Sequence, residues 1–145
     1  MNKNASQKLS AANFGQWAEQ EALRIVQQRG YQCIAHNFHS RYGEIDLIVL
    51  HNEYVIFIEV KARGLKAWAA ANAVVSTQKQ IKIAKTALYY LQQFPQYTHF
   101  YSRFDVMTFD LLEVGSWQKL QKQSFAYQHE WIENAFTFDE ELINL

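Results

Sequence analysis

Glu59 and Lys61 stand two residues apart in Phe57-Ile58-Glu59-Val60-Lys61, a run of β-branched and aromatic residues. A strand there points both side chains to one sheet face. Thirteen residues before Glu59, Asp46 interrupts the otherwise apolar stretch Ile45-Asp46-Leu47-Ile48, where burial is costly unless the carboxylate meets a cation. Read as a two-residue hairpin loop, Asn52-Glu53 sets His51 against Tyr54, Leu50 against Val55 and Ile48 against Phe57, which brings Asp46 opposite Glu59. Carboxylates side by side repel, and the species that holds such a pair is a hard divalent cation with oxygen ligands, magnesium or manganese. Two-carboxylate glycosidase chemistry is disfavoured, because it uses a separation of roughly 5 to 9.5 Å.

Other chemistry is thinly represented. Glu19 shares a helix face with Ala22, Leu23 and Val26; a carboxylate at the edge of a buried stripe snorkels to solvent or finds a partner such as Arg41 or Arg103. Glu44, two residues before Asp46, reads as a loop-capping residue or an auxiliary ligand. The five histidines, His36, His39, His51, His99 and His129, have no spacing that places two on one helix face. No nucleophile elbow, glycine-rich phosphate loop or dinucleotide fingerprint is present. The single cysteine, Cys33, excludes an internal disulfide and a thiolate zinc site, and reads as core. Trp17, Trp117 and Trp131 read as core or interface, whereas Trp68 lies beside a basic segment and could stack on an unpaired base.

The elements that must position these groups follow from periodicity. About twelve polar residues open the chain as a tail, and a helix is predicted over Asn13 to Arg29, capped by Asn13 and ended by Gly30. Three strands follow, at Tyr31 to Phe38, Glu44 to Leu50 and Tyr54 to Lys61. Gly64 to Val75, rich in alanine, is the one long flexible connection. Ser76 or Thr77 caps a second helix whose stripe is Ile81, Ala84, Leu88 and Leu91, with Lys79, Lys82 and Lys85 on another face and Pro95 past its end. Arg103 to Leu111 is a fourth strand. Gly115 to Lys122 is ambiguous, and Phe125 to Phe136 carries aromatics without clear periodicity. The expectation is a tail over residues 1–12 and one α/β domain over residues 13–145.

A chain of 145 residues, 49% hydrophobic and 15% aromatic, has the apolar content for a core. Its apolar runs fall far short of the ~20 residues of a membrane helix, and the N-terminus lacks a signal-peptide core, so a soluble cytoplasmic protein is expected. Formal charge is zero, but residues 1–90 carry eleven basic and six acidic groups, while residues 91–145 carry three basic and eight acidic. Between Glu59 and Asp105 there is no acidic residue, while Lys61, Arg63, Lys66, Lys79, Lys82, Lys85 and Arg103 all lie there. That segment could face a polyanion, or form a solvated helix face.

In this order the residues resemble the PD-(D/E)xK nuclease superfamily, which includes restriction endonucleases and archaeal Holliday junction resolvases, and more closely the YraN family of predicted bacterial endonucleases. The matching segments are Gly15-x-x-Ala18-Glu19, Gly30-Tyr31, Asn37, Gly43 to Ile48, Phe57 to Arg63, Lys79, Arg103 to Val106 and Ile132 to Phe136. Ile45 precedes Asp46 where the motif's name has proline. The resemblance implies a restriction-endonuclease-like α/β core, with a mixed central sheet of four or five strands flanked by helices in the order αβββαβ. It also implies hydrolysis of DNA phosphodiesters, branched DNA included, with Asp46 and Glu59 as ligands of Mg2+ or Mn2+. Lys61 would orient or help deprotonate water, and Glu19 would bind a second metal or hold the first through water. Arg63, Lys66, Lys79, Lys82 and Arg103 are the expected nucleic-acid contacts; by analogy with two-fold resolvases the chain could pair as a homodimer, and no organic cofactor or membrane association is expected. The competing expectation is a non-catalytic adaptor that keeps the fold and works through a protein partner.

Overall fold

A computed structural model of the chain describes residues 11–64, 75–111 and 127–137. The expected connection around Trp68, Lys66 within it, the 115–122 stretch with Trp117 and residues 1–10 of the expected tail lie outside the described residues. Helix α1 runs Ala11–Gln28, so Asn13 is inside the helix and not its cap. Its end is as expected. Gly30 takes φ +83°, with its N–H donating to the Gln27 carbonyl and the Tyr31 N–H to that of Val26, the paired closure that a left-handed glycine permits.

Strands β1 (Gln32–Ser40), β2 (Gly43–His51) and β3 (Tyr54–Arg63) form an antiparallel meander. Helix α2 (Thr77–Gln93) and a short 3-10 turn (Pro95–Tyr97) lead to β4 (Tyr101–Leu111), parallel to β3, and β5 (Tyr127–Phe136) returns antiparallel to β4. The result is an α/β fold with a five-stranded mixed sheet in the order β1-β2-β3-β4-β5, compatible with a restriction-endonuclease-like core. No helix among the described residues is long and apolar enough to cross a membrane.

The sheet separates two apolar layers. On one side Phe14, Ala18, Ala22 and Val26 of α1 pack with Leu47, Val49, Ile56, Ile58, Met107 and Phe109. On the other, Ile83, Ala84, Ala87 and Tyr90 of α2 pack with Ile45, Ile48, Val55, Phe57 and Phe104. Ser76 caps α2, its hydroxyl accepting from the Lys79 N–H, but the buried stripe is turned from the expected one. Ile83, Ala84, Thr86, Ala87 and Tyr90 are buried, while Ile81, Leu88 and Leu91 are only half-buried. The large Tyr90 ring, in edge contact with Phe38 and Phe57, sets the rotation.

Alternation also fails around Asp46. Ile45 and Leu47 should share a face, yet they belong to opposite layers, while Ile45 and Ile48 lie in the same one. Across β1 the same break separates Ala35 from Phe38, both packed on the α2 side. Between them Asn37 takes φ +51°, a left-handed conformation that asparagine tolerates better than most residues. The two strands kink together at Asn37 and Asp46, and the kink carries Asp46 out of the regular pleat.

At the far edge, the strand left unsettled by sequence is held by a fully buried carboxylate. Asp105 accepts from Arg103 Nε at 2.9 Å and Nη2 at 3.0 Å, from Trp131 Nε1 at 2.9 Å and from the Asn134 N–H at 2.8 Å. The ladder slips between Phe104 and Val106 opposite the left-handed Asn134. That irregularity is why β5 lacks a clean period of two.

Candidate active site

The hairpin register is the expected one, with His51 opposite Tyr54, Leu50 opposite Val55, Ile48 opposite Phe57 and Leu47 opposite Ile58. Counted one step further it sets Asp46 beside Glu59. There the ladder gives way, and the Val60 N–H donates to Asp46 Oδ2 at 2.7 Å in place of a strand partner. Asp46 is 9% and Glu59 7% exposed, and the charge of Asp46 bears directly on Glu59. Helix α1 brings Glu19 to the hollow that Asp46 also lines, close enough for each carboxyl group to act on the other. Three carboxyl groups, Glu19, Asp46 and Glu59, thus influence one another.

Their electrostatics follow from burial and crowding. Burial pushes Asp46 up to about 6, against the Val60 N–H, with the charge of Glu19 adding to the rise. Burial, reinforced by Asp46, pushes Glu59 up to about 7, against the pull of Lys79. Burial also raises Glu19, to a degree not opposed enough by its contact with Asp46. Two groups this close titrate as a unit, so near neutral pH the pair holds protons that separate carboxylates would have lost.

One cation is already in place. Lys79 Nζ lies 2.5 Å from Glu59 Oε1, and although burial alone would lower its pKa, Glu59, Asp46 and Glu44 outweigh that and raise it. Lys61 is half-buried, its pKa lowered by burial and then by the positive charge of Lys79. Among the described residues no group of three or more His, Cys, Asp or Glu side chains is placed to hold a metal ion together. What is present is a buried pair of hard oxygen donors with one ammonium at its edge, a donor set suited to Mg2+ or Mn2+.

The arginines expected to face phosphate are otherwise engaged. Arg63 forms a two-point pair with Asp110, Nε to Oδ1 at 2.6 Å and Nη2 to Oδ2 at 2.9 Å, and Arg103 is bound to Asp105 and lies over the Tyr54 ring. A phosphate would have to compete with those carboxylates. Lys82 and Lys85 have no ion-pair partner among the described residues, nor does Arg41, which stacks on Tyr42 at 4.8 Å. Glu44 pairs with His39 at 3.1 Å, both exposed. Trp17 and Trp131 are half-buried against the α1 layer, as expected. Sequence reasoning did not anticipate the hollow beside Asp46, about 290 Å3, lined by Gln16, Glu19, Gln20, Leu23, His36, Asn37, Asp46 and Leu47. The i, i+4 spacing of Gln16 and Gln20, with Glu19 between them, was its one visible signal.

Fold and site together define an α/β protein with a five-stranded mixed sheet, compatible with a restriction-endonuclease-like core, and a buried acidic pair where its hairpin opens. Residues 18–109 match the family described as Uncharacterised protein family UPF0102, and the chain belongs to that family. It is 48% identical over 134 residues to a UPF0102 protein of Acinetobacter baylyi, covering 90% of this chain and 94% of that one. A UPF0102 protein of Acinetobacter baumannii strain AYE is 46% identical over 132 residues, covering 90% and 99%. One from Alcanivorax borkumensis is 36% identical over 127 residues, covering 88% and 94%.

Proposed function

We propose that this protein is a metal-dependent endonuclease that hydrolyses DNA phosphodiesters, branched DNA among its substrates. The observation that carries the reading is the apposition of buried Asp46 and Glu59, with Lys61 two residues along the same strand. A bound divalent cation would supply Lewis acidity and a water of lowered pKa. Asp46 and Glu59 would offer its oxygen donors, and Glu19, beyond Asp46, would hold a second cation or a bridging water. The ammonium of Lys61 would stand beside the oxygens on which charge builds. Lys79 neutralises Glu59 in the structure; in the presence of a metal it is the group best placed to turn to a substrate phosphate.

The test is incubation of labelled linear, flapped and four-way DNA in magnesium, in manganese and in chelator. Cleavage abolished by chelator is the expected result. Binding without cleavage in either metal would instead favour the adaptor reading, in which the fold serves a protein partner. Lys82, exposed on α2 and without an ion-pair partner among the described residues, is expected to contact backbone phosphate. Lys82→Ala should weaken binding to every sequence alike and flatten the log–log salt dependence by about one. Anisotropy titrations over a range of salt concentrations check this, and an unchanged slope would return Lys82 to a solvated face.

A further inference from the structure

The hollow beside Asp46 combines two kinds of lining. Its floor is apolar, from Leu23 and Leu47, and its mouth carries the exposed side chains of Gln16, Gln20, His36 and Asn37. None of those four side chains has a hydrogen-bond partner among the described residues. Gln16 and Gln20 lie one turn apart on α1, so both amides face the hollow alongside Glu19. Asn37 reaches it from the kink, where its left-handed backbone is maintained although an ordinary strand residue would avoid it.

We propose that this hollow is a subsite for one unpaired nucleobase next to the scissile phosphodiester, a reading that rests on the nuclease function above and names its substrate class. No Lys or Arg lines the hollow, so its mouth offers neutral amides to the edge of a base and no ammonium or guanidinium to a phosphate. Side-chain amides are the groups that pair two-pointed with base edges. At about 290 Å3 the hollow is at the small end of ligand sites, and it opens between α1 and the β1–β2 hairpin, so a base enters it only when splayed from its complement. Such a site selects flaps, junctions or single strands over continuous duplex.

The test is equilibrium binding of the full chain to fluorescein-labelled flapped, single-stranded and blunt duplex DNA in calcium, repeated with Gln16→Ala/Gln20→Ala. Both positions are exposed helix sites where alanine favours the helix. Wild type is expected to prefer flapped and single-stranded DNA, and the double variant to lose about tenfold in affinity for them with duplex affinity unchanged. Asn37→Gly, which keeps the left-handed backbone, should act in the same direction. Wild type without that preference, or a variant that keeps it, overturns the subsite while leaving the nuclease reading standing. Wild type that neither binds nor cuts any of the three DNAs overturns both.

Discussion

Lys61→Ala is expected to reduce single-turnover cleavage in magnesium about a hundredfold or more while leaving DNA affinity within about twofold. The expectation follows from what Lys61 can and cannot touch. It lies two residues beyond Glu59 on β3, half-buried, with its charge disfavoured by burial and by Lys79. An ammonium held there at an electrostatic cost is poorly used as a ground-state phosphate contact, which exposed lysines such as Lys82 make more cheaply. Its worth is largest when the attacked phosphorus gathers negative charge, and one preorganised contact of that kind is worth ~3 to 4 kcal/mol of barrier. Lys61→Arg should recover part of the rate if charge matters more than shape. Equal cleavage by wild type and Lys61→Ala would remove Lys61 from the chemistry.

What could be read in the sequence was local. The Asn52-Glu53 turn fixes the hairpin register, so the meeting of Asp46 with Glu59 follows from counting outward from the turn. The end of α1 was visible because Gly30 tolerates a backbone that other residues resist. What the sequence concealed depends on tertiary contacts. The stripe of α2 is rotated because Tyr90 fills the space beneath the sheet, which no helical period reveals. β5 reads as aperiodic because a slip at its junction with β4 is compensated by Asp105 and Asn134. Lys79 looked like one of three lysines on a solvated face, and only the closing of α2 onto β3 brings it to Glu59. Arg63 looked free because Asp110 is distant in sequence and adjacent in the sheet, whereas Arg103 is taken up by Asp105 two residues along its own strand. The charge asymmetry between the halves of the chain is thus partly cancelled across the β3–β4 pairing.

The crowding of Asp46 and Glu59 also makes metal-free stability depend on pH in the direction opposite to that of an ordinary surface carboxylate. Both groups titrate higher in the folded chain, at about 6 and about 7, than the ~4 expected when unfolded. Between those values the folded state binds more protons than the unfolded state. The contribution to stability is complete below about pH 4 and is lost as pH rises through 6 to 7. Raising one carboxyl group from about 4 to about 6 corresponds to ~3 kcal/mol, or roughly 10 °C in Tm for a chain of this size. Asp46→Asn removes one titrating charge and keeps an oxygen to accept the Val60 N–H. In chelator, Tm of the variant should therefore exceed that of wild type by a small amount at pH 4.5 and by roughly 10 °C at pH 8, as read by calorimetry. Excess magnesium or manganese at pH 8 should raise wild type and leave the variant unmoved, since the variant lacks one of the two anionic donors. Without metal the variant should also bind DNA more tightly, because one negative charge fewer opposes the incoming phosphate. A Tm gap that does not widen with pH, or a variant stabilised by metal as much as wild type, would mean that Asp46 and Glu59 do not act as a coupled, cation-seeking pair.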